Sequence, residues 1–305
     1  MQMKTVHAIE EIRSDVAAAR AEGKAIGLVP TMGAFHEGHL SLMRAARQQC
    51  GHVVVSLFVN PTQFGPSEDF AKYPRSLERD RELAEEVGVD TIWAPTVEEM
   101  YPVGFATYVS VEGLTDSMEG AARPSHFRGV ATVVTKLFTI VQPEKAYFGQ
   151  KDYQQLVVVR RMVRDLNLPV EIVSLPIVRE PDGLAMSSRN AYLSPEERRA
   201  ALCLKRMLDE VQRLVQSGQR GTREVAAAAR ATVDAEPRVS LDYLEIVHPT
   251  TLQAEELIDP PVVALGAIRV GTTRLIDNLA IWSDAHVAVH VPIQAPPSDS
   301  DGDGA

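Results

Sequence analysis

The sequence predicts an α/β fold: a Rossmann-like doubly wound parallel sheet followed by a smaller C-terminal α+β domain with an antiparallel sheet. Up to residue 176, short apolar runs alternate with helical periodicity, which is typical of parallel strands joined by crossover helices. Beyond it come two helical patterns and then three longer strand-like runs. We therefore expect domains at 1–176 and 177–290. The acidic tail 291–305 lacks anchoring apolar side chains and is expected to be disordered.

The first domain is predicted from short apolar runs separated by amphipathic stretches. The strand-like runs cover residues 26–29, 53–59, 91–93, 107–111, 145–148 and 171–175. Helical spacing of apolar residues covers residues 40–49, 77–87, 129–141 and 153–166. These helices provide most of the crossover connections that a parallel sheet requires.

The second domain begins with two helices whose start signals are clear. Ser194 is a good N-cap before Pro195, which opens a helix to about residue 216, and Thr222 opens an alanine-rich helix to about residue 235. Strand-like runs follow at residues 241–247, 262–270 and 274–282. The Gly-Thr-Thr sequence at 271–273 is typical of a hairpin turn, so we expect antiparallel pairing.

The composition fits a globular enzyme better than a nucleic-acid-binding or membrane protein. The 305 residues carry a net charge of −10, whereas binding to a nucleic-acid backbone needs a concentrated basic surface. We see no signal-peptide core and no apolar span of about 20 residues. We therefore expect no nucleic-acid partner, no membrane association and a cytoplasmic location. Cys50 and Cys203 lack metal-ligand spacing, so we expect both to be reduced and structural.

The most informative segment is residues 33–39, where two glycines and two histidines stand at the junction of a predicted strand and helix. Gly33 and Gly38 allow a tight turn and close approach of a ligand, and the free amides of a helix start attract an anion. His36 and His39, three apart, face the same side of the first helical turn. The pattern indicates a phosphate site; the alternative is a plain turn with two surface histidines.

A second segment, Met-Ser-Ser-Arg at 186–189, offers two hydroxyls and a guanidinium suited to a triphosphate, although alone it would be a plain loop. Together the two segments are similar to the His-x-Gly-His and Lys-Met-Ser-Lys-Ser pair of the nucleotidylyltransferase and class I aminoacyl-tRNA synthetase superfamily. Arg189 replaces the final lysine here, and the acidic composition disfavours a tRNA synthetase. Further polar clusters follow predicted strands at 60–65 and 149–155, where open α/β sheets bind ligands.

Four motifs in one chain order resemble the pantoate–β-alanine ligase (pantothenate synthetase) family: residues 30–39, 58–64, 147–155 and 186–190. The resemblance implies ATP, pantoate and β-alanine as substrates, a pantoyl-adenylate intermediate, and release of AMP and pyrophosphate. It also implies Mg²⁺ as cofactor and a homodimer. A simple nucleotidylyltransferase and a catalytically inactive nucleotide-binding sensor remain alternatives, and product analysis would separate the three.

The resemblance also implies residue roles. His39 and His36, with Lys151, are the expected catalytic residues, because charge develops on phosphoryl oxygens during attack at phosphorus. The residues expected to bind ATP are Met32, Gly33, Ala34, Phe35, His36, Glu37, Gly38, His39, Gly149, Gln150, Lys151, Asp152, Val178, Met186, Ser187, Ser188 and Arg189. Gln63 and Gln155 are expected to hold pantoate through neutral amides, which leave its carboxylate nucleophilic. Gln63 is also expected to contact β-alanine.

The metal ligands are unknown from the sequence. Asp80 and Asp152 are possible outer ligands, although the helical pattern around Asp80 predicts a solvated surface residue. Residues 65–74 are predicted to form a mobile flap that shields a reactive adenylate from water. Arg123 and His126 lie in a segment that resembles one beside the family's site, and their roles stay open.

Overall fold

The computed structural model describes residues 3–66 and 68–282, and its first part is built on a six-stranded sheet. The strands are β1 (Lys4–Val6), β2 (Ile26–Thr31), β3 (His52–Leu57), β4 (Thr91–Trp93), β5 (Lys145–Gly149) and β6 (Glu171–Leu175). Their order is β1-β4-β3-β2-β5-β6, and all pairs are parallel. The winding reverses between β2 and β5, which opens a crevice at the carboxyl ends of these strands.

Helices cover both faces of this sheet. They are α1 (Ile9–Ala21), α2 (Glu37–Gln49), α3 (Leu77–Glu86), α4 (Val97–Met100), α5 (Glu119–Ala122), α6 (His126–Val141) and α7 (Tyr153–Asp165). Successive side chains of a strand point to opposite faces. Leu28 of β2 packs in a cluster with α1, α6 and α7, whereas Val29 packs in another with α2 and α3. The predicted doubly wound architecture is confirmed.

The second part packs two helices on a three-stranded antiparallel sheet. Its elements are α8 (Pro195–Gln216), α9 (Thr222–Asp234), β7 (Val239–Val247), β8 (Val262–Val270) and β9 (Thr273–Ile281). Ser194 caps α8 by accepting a hydrogen bond from Glu197 N, as the sequence predicts. Gly266 of β8 lets α8 approach closely, because a Cβ there would lie 2.9 Å from Leu204 Cδ1 and Met207 Cε.

The two parts share an apolar cluster and an ion pair. Phe127 of α6 and Tyr153 of α7 pack with Leu265 of β8. Beside them, Arg274 of β9 donates to both carboxylate oxygens of Glu119, in α5, at 2.6 and 2.7 Å. The first part of the molecule is therefore joined to the second sheet through α5, α6 and α7.

Most predicted elements are confirmed to within three residues of their observed bounds. The strand predicted at 107–111 is wrong: the segment forms no strand, and Val109 N donates to Thr132 Oγ1 of α6 instead of to another strand. The patterns did not predict β1 and α1, since a three-residue strand and an alanine-rich helix give little periodicity.

Two further sequence expectations concern the described residues. Cys50 and Cys203 are buried free thiols, as expected. None of the described helices is long and apolar enough to cross a membrane. Residues 283–305, which include the predicted tail 291–305, lie outside the part of the chain that the structure describes.

Candidate active site

A cavity of about 230 Å³ lies at the carboxyl ends of β2 and β5 and brings the four motifs together. The expected site residues that line it are Met32, His36, Gly38, His39, Gln63, Gly149, Lys151, Asp152, Gln155, Val178, Met186, Ser187, Ser188 and Arg189. Five others from the same motifs do not line it: Gly33, Ala34, Phe35, Glu37 and Gln150. The first three of these shape the turn that carries the histidines.

That turn, between β2 and α2, is held by the carboxylate of Asp80 from α3. Gly33 (φ 88°) and Ala34 (φ 54°) adopt the left-handed conformation. Asp80 accepts hydrogen bonds from Ala34 N at 2.9 Å and Phe35 N at 2.7 Å. Its exposure is only 2%, so the prediction of a solvated surface residue is wrong. Two amides of the turn therefore bind an internal carboxylate rather than a ligand.

The two histidines cap α2 reciprocally, and these contacts fix their tautomers. His36 Nδ1 accepts from Gly38 N at 3.1 Å, and His39 Nδ1 accepts from His36 N at 3.4 Å. A ring nitrogen that accepts carries no proton, so a neutral imidazole in each position is protonated at Nε2. Gly38 is needed here, because a Cβ would lie 2.9 Å from the His36 ring. Each histidine can therefore donate one hydrogen bond from Nε2.

Both imidazoles are held in the neutral form. Burial, reinforced by the positive charge of Lys151, lowers the pKa of His36 to about 4. Burial, reinforced by His36, lowers the pKa of His39 to about 3. At neutral pH these side chains are uncharged hydrogen-bond donors rather than imidazolium ions. The pair suits the stabilisation of developing negative charge better than the delivery of a proton.

The side-chain amide of Gln63 is oriented by Asn60, which is not among the site residues expected from the sequence. Asn60 Oδ1 accepts from Thr62 N and from Tyr101 Oη, so its Nδ2 must be the donor to Gln63 Oε1, at 3.1 Å. Gln63 Nε2 consequently points to the other side, where it lies 3.2 Å from Met32 Sδ. Asn60 lies inside the motif 58–64, and this position was the one indication in the sequence that it belongs to the site.

A glycine on α6 positions the same glutamine. A Cβ at Gly129 would lie 2.4 Å from the carbonyl oxygen of Thr62 and 2.7 Å from Gln63 Cα. Asn60 Nδ2 also donates to Gly129 O at 3.2 Å. The turn that carries Gln63 can therefore rest on α6 only because residue 129 has no side chain. Sequence patterns carry no signal for this contact, because it joins segments more than 60 residues apart.

The Ser-Ser-Arg segment, which lines the same cavity, forms contacts with residues of the predicted flap 65–74. Arg189 donates to Asp69 through Nε at 3.0 Å and Nη2 at 2.9 Å, a bidentate pair. Tyr73 Oη lies 3.2 Å from Ser188 Oγ. The flap thus lies against the Ser-Ser-Arg motif, as its expected shielding role requires, and its mobility stays a prediction.

Lys151 and Asp152 bring opposite charges to the cavity, with Nζ 3.6 Å from Oδ1. Burial raises the pKa of Asp152, but the positive charges of Lys151 and Arg189 outweigh it and lower the pKa overall. Asp152 is therefore an ionised carboxylate beside the cavity. Within the described residues, no group of three or more His, Cys, Asp or Glu side chains is arranged to hold a metal ion.

The histidine turn and the Ser-Ser-Arg segment border one cavity at the switch point of a Rossmann-like sheet, which places the protein in the class of α/β proteins that bind nucleotides there. Within that class, the family model described as pantoate-beta-alanine ligase matches residues 4–280. The chain belongs to the pantoate-beta-alanine ligase family. It is accordingly a ligase with a nucleotide substrate, and the resemblance carried by the four motifs is confirmed.

Relatives of this family match the chain along nearly its whole length. The pantothenate synthetase of Moorella thermoacetica is 59% identical over 279 residues, which are 92% of this chain and 99% of that protein. The solved pantothenate synthetase of Thermus thermophilus has a TM-score of 0.88 at 52% identity, covering 92% of this chain and all of that one. The Francisella tularensis pantoate-beta-alanine ligase, solved with beta-gamma ATP and β-alanine, has a TM-score of 0.74 at 30% identity, covering 92% and 98% of the two chains.

Proposed function

We propose that this cavity carries out both steps of an AMP-forming ligation. In the first step, a carboxylate oxygen of pantoate attacks the α-phosphorus of ATP, and pyrophosphate leaves. In the second, the amine of β-alanine attacks the carbonyl carbon of the pantoyl adenylate, AMP leaves with the bonding electron pair, and the amine loses a proton. The observation that carries the proposal is the pair of neutral Nε2–H donors at His36 and His39, in one cavity with the oriented amide of Gln63.

The first step needs an oriented nucleophile and stabilisation of the charge that develops at phosphorus. Gln63 and Gln155 hold pantoate by neutral amide groups, so that its carboxylate keeps its nucleophilicity. His36 and His39 donate to the phosphoryl oxygens, and Lys151 adds a compact charge there. Because the donors are already in place before the charge develops, their reorganisation costs little in the transition state.

ATP is proposed to lie between the histidine turn and residues 186–189, with adenine against the backbone of Val178. Met186 N donates to Val178 O at 3.0 Å, so this carbonyl is already paired and the Val178 amide is the group proposed to face the base. Ser187, Ser188 and Arg189 then face the triphosphate. Gly33, Ala34, Phe35, Glu37, Gly38, Gly149 and Gln150 contribute the shape of the two turns.

Mg²⁺ is proposed to arrive with ATP rather than to reside in the protein. Magnesium prefers few protein carboxylates together with phosphate oxygens and water, and the donor set fits this, since Asp152 is an ionised carboxylate in the cavity. Asp80 does not fit, because its carboxylate binds the backbone amides of the turn and does not line the cavity. The ion would supply charge neutralisation on the phosphates.

Three further proposals concern the assembly, the location and the domain division of the protein. The homodimer rests on the family resemblance, and the cytoplasmic location rests on the sequence, in which we see no signal-peptide core or long apolar span. The division into domains near residue 176 rests on the change of sequence pattern there. Separate apolar clusters around the two sheets support the last. Sedimentation at several concentrations would test the dimer against the 33.4 kDa chain mass.

Product analysis tests the proposed reaction directly. With ATP, pantoate, β-alanine and magnesium, we expect one AMP for each pantothenate formed. A stoichiometric yield of ADP would instead mean acyl-phosphate chemistry, and the proposed roles of His36 and His39 would be wrong. Tight ATP binding without any product would favour the nucleotide-binding sensor.

A further inference from the structure

A larger cavity, of about 800 Å³, adjoins the first one and extends to the second sheet. Seven residues line both cavities: Arg123, His126, Lys151, Asp152, Gln155, Ser187 and Arg189. Three of them have basic side chains. Lys151 and Arg189 belong to motifs proposed for ATP, whereas Arg123 has no role in either of the proposed steps. It stands where the two cavities meet.

The guanidinium of Arg123 already forms a carboxylate-binding fork. Its Nε and Nη2 donate to the two oxygens of Glu68, at 3.0 and 2.5 Å. The two side chains are only 16% and 23% exposed. Burial raises the pKa of Glu68, but Arg123 outweighs it and lowers the pKa, so the carboxylate is ionised. A bidentate pair of this kind recognises a carboxylate by shape as well as by charge.

A short hydrogen-bonded chain connects this fork to Gln63. His126 Nδ1 lies 2.8 Å from Gln63 O, and a carbonyl can only accept, so Nδ1 carries the proton. His126 Nε2 is then an acceptor for Arg123 Nη1, at 3.1 Å. Arg123 Nη2 also lies 3.3 Å from Gln63 O. The Arg123 guanidinium therefore lies next to Gln63, the glutamine proposed to hold pantoate, and His126 links the two residues.

The second reaction step needs a cationic side chain that can bind a carboxylate. Its substrate is an amino acid whose amine must be unprotonated to attack, so a carboxylate close to that amine would favour the wrong protonation state. Its carboxylate, by contrast, needs a cationic partner, because an unpaired charge loses free energy on leaving water. Of the three cations that border both cavities, only Arg123 is not required by the triphosphate.

We propose that Arg123 binds the carboxylate of the amine substrate and that this carboxylate replaces Glu68 on the guanidinium fork. The inference rests on the proposed two-step function. Glu68 lies in the segment 65–74, next to Asp69, which holds Arg189. Replacement of Glu68 therefore releases one of the two acidic contacts that bind this segment to the cavity. Glu68 is a competitor of the substrate, and variants of the two residues should act in opposite directions.

The test measures the two steps separately. Arg123→Met should raise the KM for β-alanine about 10- to 100-fold, the range expected for loss of a charge-assisted contact. Pantoate-dependent exchange of pyrophosphate into ATP, measured without β-alanine, should stay within about twofold of the unmodified enzyme, since that step uses no amine. Glu68→Gln should lower the KM for β-alanine severalfold. Arg128→Met is the matched control, because Arg128 is exposed and stacks on Tyr108, 3.9 Å from its ring centre.

An analogue without the carboxylate gives an independent readout. The unmodified enzyme should prefer β-alanine over 3-aminopropan-1-ol strongly in kcat/KM, and Arg123→Met should reduce that preference at least about tenfold, the lower end of the effect expected for a charge-assisted contact. A merely structural role of Arg123 would slow both amines alike and keep the preference.

Several outcomes overturn the inference. An unchanged KM for β-alanine in Arg123→Met would overturn it. A pyrophosphate exchange rate that falls as much as the overall rate would also overturn it, because Arg123 would then belong to the pantoate site. If Arg123→Met does not fold, a raised KM for β-alanine in Glu68→Gln is enough to overturn the inference. Absence of pantoate-dependent exchange in the unmodified enzyme would instead refute the proposed function, so the two failures can be told apart.

Discussion

At the scale of single residues, the central feature is that His36 and His39 are neutral donors in a cavity that also holds Lys151. Local hydrogen bonds set their tautomer, and burial sets their charge. The sequence predicted the two residues and their common face. It could not predict the protonated nitrogen, because that depends on which backbone amides the folded turn directs at each ring.

Removal of one of these donors should affect turnover more than binding. We expect His39→Ala to lower kcat by about 10²–10³, equivalent to about 2.7–4 kcal/mol, as for other preorganised donors to a developing oxyanion. The KM for ATP should change much less, because the contact strengthens only in the transition state. Steady-state kinetics tests this, with the exposed residue His7 as the control through His7→Ala. Near-normal turnover would remove His39 from the catalytic residues.

The protonation of these histidines can be observed directly. Their pKa values of about 4 and 3 predict that ¹⁵N-detected NMR of the free enzyme shows Nε2–H tautomers with no titration near pH 6.5. The unfolded chain binds protons at these residues near pH 6.5 and the folded chain does not, so stability should fall as the pH drops from about 6.5 towards 4. His39→Gln should flatten that slope. A titration of His39 near pH 6.5 would contradict the proposed neutral donor.

At the scale of secondary-structure elements, the sequence predicted the helices and strands that have a clear apolar pattern. Its predictions were wrong where contacts between distant segments determine the local structure. The strands around the switch point have continuous apolar runs and were found, whereas residues 107–111 look like a strand but pack along α6. Asp80 shows the same limit. Its place on an acidic helix suggested a surface residue, and only the folded chain brings it beneath the turn from β2 to α2.

The contact between α3 and this turn should matter for nucleotide use. In Asp80→Asn, one acceptor is replaced by an NH₂ group that faces a backbone N–H, so an amide loses its partner. With about 1.5–3 kcal/mol for a hydrogen bond to a charged group, we expect kcat/KM for ATP to fall about 10- to 100-fold. Glu78→Gln, on the exposed side of the same helix, is the control. Equal kinetics of the two variants would mean that the turn keeps its shape without Asp80.

At the scale of the whole molecule, the proposed mechanism needs groups from segments far apart in the chain. The histidine turn follows β2, Gln155 lies in α7, and the Ser-Ser-Arg segment precedes α8. The ion pair of Glu119 in α5 with Arg274 in β9 joins the two parts of the molecule beside the larger cavity, and its partners are 155 residues apart. The motifs predicted that these segments would lie together, and they border one cavity, whereas these long-range contacts became visible only in the folded chain.

Exchange of labelled pyrophosphate into ATP shows whether the enzyme forms a pantoyl adenylate, because an adenylate-forming step is reversible without the amine. With magnesium and pantoate present and β-alanine absent, we expect exchange, and we expect it to be negligible when pantoate is left out. Gln155→Ala should raise the pantoate concentration needed for exchange while ATP binding persists. Failure of pantoate to support exchange, in an enzyme that still forms pantothenate, would contradict the adenylate mechanism assigned to this cavity.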